Sequence, residues 1–71
     1  MKRRELLTRI GTAARSRGLR LEQVREGANH TILRVGDYEF AVPRHSEINE
    51  YTAQAIMKDL AAQLGEDWWR R

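Results

Sequence analysis

Apolar residues recur at helical spacing over residues 3–16. Leu6, Leu7, Ile10, Ala13 and Ala14 share one side, with Arg3, Arg4, Arg9 and Arg15 around the rest. That arrangement predicts an amphipathic helix. Gly11 lies inside it and weakens it by about 1 kcal/mol relative to alanine, so the helix must draw on packing. Gly18 supplies a C-terminal stop. The period then shortens. Residues 20–26 read as a first, weakly patterned strand whose apolar members, Leu21 and Val24, are three apart. That spacing breaks alternation and calls for a bulge or a later start. Gly27-Ala28-Asn29 is a hairpin turn, residues 30–35 (His-Thr-Ile-Leu-Arg-Val) a strand, and Gly36-Asp37 a second tight turn. In residues 38–42, Tyr38, Phe40 and Val42 alternate with Glu39 and Ala41 before Pro43 ends the strand.

A polar loop over 44–49 leads to Asn49, a good N-cap, and Glu50, an acid suited to a helix start. Ala53, Ile56, Met57, Leu60 and Leu64 form the stripe of a second helix, running to about Gln63 and closed by Gly65. Residues 66–71 are a tail holding Trp68 and Trp69. The order α-β-β-β-α predicts an α+β fold of two layers. A three-stranded antiparallel sheet is covered on one face by both helices, with its other face open.

At 71 residues the chain is expected to be one domain, with a core over 3–65 and the tail beyond it. A chain this short buries roughly 60% of its unfolded surface, which excludes a two-domain enzyme with a cleft between domains. There is no cysteine, so disulfides, thiolate metal sites and cysteine nucleophiles are excluded. No apolar run exceeds three residues, far short of the roughly 20 that cross a bilayer. No apolar stretch of signal-peptide length stands at the N-terminus either. A cytoplasmic protein, without membrane contact, is expected.

Thirteen Lys and Arg against ten Asp and Glu give a net charge of +3, unevenly spread. Residues 1–35 carry nine basic and three acidic side chains; residues 36–71 carry four and seven. In the basic half only Lys2 is a lysine. A guanidinium fork can bond two phosphate oxygens at once, which modestly favours a nucleic-acid partner over an ordinary solvated surface.

The candidate chemistry is sparse. Ser16 and Ser46 lack a nucleophile-elbow context, no glycine-rich phosphate loop occurs, and the two histidines are not spaced as metal ligands. No metal or other cofactor is expected. His30 opens the second strand directly after a turn, with Arg25 on the adjoining strand and Arg34 two strand-steps along its own face. An imidazole, with an ordinary pKa of about 6.5, suits proton transfer at neutral pH, and flanking cations suit charge building on a phosphate. On spacing alone a turn histidine without a role remains the default reading. His45, in Pro43-Arg44-His45-Ser46, is a second acid, a phosphate contact with Arg44, or a loop residue that aims the chain into the helix. Lys2, Arg3 and Arg4 are cations at a helix start, where the dipole disfavours them. They either hold a phosphate backbone or are simply solvated. Trp68 and Trp69 can stack on bases, but sealing a core edge is the preferred reading for at least one of them.

Four segments together resemble a known family: Met1 to Leu7, Val24 to Ile32, Val42-Pro43-Arg44-His45-Ser46, and Ile48-Asn49-Glu50-Tyr51-Thr52. In order and spacing they are similar to the HicA toxins of bacterial type II toxin–antitoxin systems, over residues 1–65. The resemblance implies a double-stranded-RNA-binding-domain-like fold. It also implies a metal-independent endoribonuclease (an mRNA interferase) that cleaves mRNA, arrests translation and is masked by a HicB-like antitoxin. Operator DNA would be met only through that antitoxin. The family's Gly-Ser-His motif maps onto Ala28-Asn29-His30, which makes His30 the catalytic residue. Lys2, Arg3, Arg4, Arg25, Asn29, Arg34 and Arg44 are the expected RNA contacts, with His45 a possible second acid or phosphate contact. Leu33 stands where the family often has an aromatic residue, and the glycine that usually opens its second helix is absent near Tyr51. The other readings are a non-catalytic RNA-binding module and a decayed toxin that only binds its antitoxin.

Overall fold

The computed structural model describes residues 1–70. Helix α1 (Arg3–Ser16) is followed by three strands, β1 (Leu21–Glu26), β2 (His30–Val35) and β3 (Tyr38–Pro43). Helices α2 (Glu50–Asp59) and α3 (Ala61–Leu64) and a 3-10 turn (Trp68–Arg70) complete the chain. The strands form an antiparallel meander in the order β1-β2-β3. The fold is α+β, with the helices packed on one face of the sheet and the other face open.

α1 buries Leu6, Ile10, Gly11 and Ala14. It ends in a Schellman motif: the Leu19 amide donates to the Ala14 carbonyl at 2.8 Å and the Gly18 amide to Arg15 at 3.1 Å. Gly18 sits at φ 74°, a conformation that costs glycine little. In β2 Thr31, Leu33 and Val35 point into the core, and Phe40 and Val42 join them from β3.

β1 does contain a bulge. Gln23 lies opposite Leu33 but Arg25 lies opposite Ile32, so Val24 is the extra residue, 36% exposed. Val24 is therefore not a core residue. The bulge also exchanges the faces of Arg25 and Glu26, which come after it. In an unbroken strand with Leu21 inward, Arg25 would face the helices and Glu26 the open side. Here Arg25 shares the open face with Ile32, and Glu26 shares the helix face with Thr31.

The second helix is expected as one piece to about Gln63, but it is interrupted at Leu60, which has φ −84° and ψ −3°. The tightened turn keeps both Leu60 and Leu64 in the core. The Met57 carbonyl accepts from the Trp68 indole N–H at 2.8 Å; in an uninterrupted helix it would accept from the amide four residues on. Trp68 is thus a core residue that folds the tail back. Asn49 caps α2, its side-chain oxygen accepting from the Thr52 amide at 2.8 Å.

Candidate nucleic-acid interface and catalytic histidine

One end of the molecule gathers the starts of α1 and β2, the end of β3 and the loop after β3. The segments are tied by backbone bonds. The Arg3 amide donates to Ser46 at 2.9 Å, Ile48 to Met1 at 2.8 Å and Arg44 to Asn29 at 3.3 Å. Met1 is anchored further by its ammonium, which bonds Glu47 Oε2 at 3.1 Å.

His30 lies at this end, exposed and opposite Pro43. By register and burial it stands on the open face, in line with Ile32 and Arg34 of its own strand. Arg25 sits diagonally across from it on the same face, opposite Ile32. Diagonal neighbours are ordinarily about 7–8 Å apart, within reach of a long side chain. The Gly27-to-Asn29 turn before His30 is closed by the Gly27 amide, which donates to the His30 carbonyl at 2.7 Å. Asn29 is exposed beside it.

The other expected RNA contacts are not equivalent. Arg34 lies between Glu22 at 3.2 Å and Glu39 at 3.7 Å, so its charge on the open face is balanced from both neighbouring strands. Lys2 lies 3.5 Å from Glu47. Arg4 is exposed and has no ion pair among the described residues. Arg3 is half-buried: its Nε donates to the Pro43 carbonyl and an Nη to Thr31 Oγ1, both at 2.9 Å. Arg44 donates to Glu26 Oε1 at 2.7 Å, to the Gly27 carbonyl at 2.6 Å and to the Ala28 carbonyl. Lys2, Arg3, Arg4 and Arg44, with Leu7 and Ser46, line an open groove of about 580 Å³.

Two members of this region, Thr31 and Glu26, escape a reading of the sequence. Thr31 is 3% exposed and donates to Glu26 Oε1 at 2.9 Å. Its signal is visible in the pattern, a polar residue at an inward position of β2. Glu26 gives no such signal, since only the bulge turns it inward. Its carboxyl is held below the ordinary range, chiefly by the Arg44 hydrogen bond and then by Thr31.

His45 is exposed in the loop at the same end and borders a recess of about 70 Å³ with Pro43, Ile48, Asn49 and Thr52 at the head of α2. Trp69 lies edge-on to Trp68, with ring centroids 5.9 Å apart. The two line a separate groove with Arg9, Thr12 and Arg70. Among the described residues no three His, Cys, Asp or Glu side chains come together as metal ligands.

The arrangement offers an accessible imidazole on a hydrogen-bonded turn, Arg25 on its face with no ion pair among the described residues, and a cationic groove at the same end of the sheet. Compared with known proteins, the chain matches no family model, no curated protein and no solved structure.

Proposed function

We propose that this chain is a HicA-like toxin, an endoribonuclease that cleaves mRNA with His30 as its catalytic residue. The observation that carries the proposal is the exposed His30 at the head of β2, on the open face it shares with Arg25. The imidazole takes the proton of a ribose 2′-hydroxyl. The 2′-oxygen bonds to phosphorus, and the bond from phosphorus to the 5′-oxygen breaks. The departing oxygen regains a proton from the imidazolium, leaving a 2′,3′-cyclic phosphate and a 5′-hydroxyl. Arg25 stabilises charge on the phosphate, and Arg4 and Lys2 hold the flanking backbone. A HicB-like antitoxin would cover His30 in the cytoplasm and connect the pair to operator DNA.

The test is incubation of purified protein with RNA in EDTA. Wild type is expected to give cyclic-phosphate ends, and His30→Ala to lose about 10²–10⁴-fold in rate with its circular dichroism unchanged. Equal cleavage by His30→Ala would sink the assignment. A second reading, a non-catalytic RNA-binding module, draws support from the pairing of Arg34 with two glutamates, which leaves one cation fewer beside His30 to stabilise a reacting phosphate. It predicts salt-sensitive RNA binding without fragments.

A further inference from the structure

We infer that Arg44 and Glu26 are positioning residues, which fix the backbone that carries His30 rather than contacting RNA phosphate. Gly27 and Ala28 have no polar side chain with which to brace their own turn. Arg44 supplies the brace from the end of β3, through both turn carbonyls and the last residue of β1. Its own backbone amide holds the Asn29 carbonyl. The carboxylate it grips does not swing freely, because Glu26 Oε1 also accepts from the buried Thr31 hydroxyl. Thr31 in turn accepts from Arg3, whose Nε holds the carbonyl of Pro43, the residue opposite His30.

The hydrogen bonds therefore run from Pro43 through Arg3, Thr31, Glu26 and Arg44 to Gly27 and Ala28. This path flanks His30 on both sides along the helix face of the sheet, while the imidazole projects from the other face. The network sets the frame of the imidazole without touching it. Three of the five N–H donors of Arg44 are committed and its charge is matched by Glu26, so it has less to offer a phosphate than the neighbouring Arg4, which has no ion pair among the described residues. Proton transfer depends steeply on orientation, and a displacement of about 1 Å can lower a rate about 10²-fold. The catalytic consequence rests on the nuclease reading; the brace itself does not.

The experiment compares wild type with Arg44→Ala, Arg44→Lys and Glu26→Gln. It uses a short RNA in EDTA, the salt dependence of RNA binding, and amide hydrogen exchange. Arg44→Ala is expected to lower kcat about 10–100-fold, with KM and the salt slope little changed. Arg44→Lys should not restore kcat, because an ammonium cannot span a carboxylate and two carbonyls. Glu26→Gln should lower kcat too, although it removes a negative charge beside the basic groove. In Arg44→Ala the Gly27 amide should exchange at least about tenfold faster while the β2–β3 amides keep their protection. A raised KM, a salt slope shallower by about one and an unchanged kcat would make Arg44 a phosphate contact and overturn the inference. Unchanged exchange at Gly27 would also overturn it. If wild type makes no fragments, the nuclease reading fails, and exchange at Gly27 alone decides whether the brace exists.

Discussion

At the scale of single residues, identical amino acids do different work according to what lies around them. Gly11 and Gly65 illustrate this. Gly11 is buried in α1, where an added Cβ would meet Arg15 Nη1 at 3.7 Å and Leu21 Cδ2 at 3.9 Å, ordinary contact distances. Gly65 sits at φ 97° against the Arg17 guanidinium, so a side chain there would be strained and crowded. Gly11→Ala should therefore stabilise the protein by about 0.5–1 kcal/mol, measured as a higher urea midpoint at unchanged slope. The helix-weakening glycine visible in the sequence is a place of surplus room, not a packing requirement. The arginines divide in the same way. Arg25, Arg34 and Arg44 are alike as letters, yet Arg25 shares a face with His30, Arg34 is held between two glutamates and Arg44 braces a turn.

At the scale of elements, the β1 bulge absorbs Val24 and sets the faces of the two residues after it. By shifting the register between Gln23 and Arg25 it brings Arg25 to the face of His30 and Glu26 to Thr31 and Arg44. The residues on either side already stand on the faces of a regular strand from which Val24 is removed. Deleting Val24 should accordingly preserve the pairing of Arg25 with Ile32 and of Glu26 with Thr31, and change stability by no more than about 1 kcal/mol. Cross-strand nuclear Overhauser contacts would show it, and a slip of one residue would refute it. The odd spacing of Leu21 and Val24 announces an irregularity in the sequence. Which residue is extruded is decided only by the pairing with β2, because it is β2's fully alternating pattern that sets the register.

At the scale of the whole molecule, a two-layer domain of this size has little stability to spare, and its tail contributes to the core. Trp68 is 6% exposed and bonds the Met57 carbonyl. Trp68→Phe should cost about 1–3 kcal/mol by leaving that carbonyl without its donor. Trp68→Ala should cost about 3–5 kcal/mol through the cavity as well, which approaches the full stability of such a domain. Thermal unfolding measures both, and a Trp68→Phe protein as stable as wild type would deny the indole bond a role. Local signals along the chain by themselves determined the α-β-β-β-α order and the two faces of β3, and residue chemistry at a helix start and after a turn picked out the Asn49 cap and the candidate His30. These come from local geometry, in which a side chain's face is set by its position in a period of 2 or 3.6. The tertiary structure alone decided which arginines keep a free charge among the described residues, that Trp68 rather than solvent meets Met57, and that Thr31 and Glu26 connect to Arg44, which bonds the turn before His30. Each is a pairing between residues distant in the chain or displaced by the bulge. No short-range pattern records it, because its geometry exists only after the layers have packed.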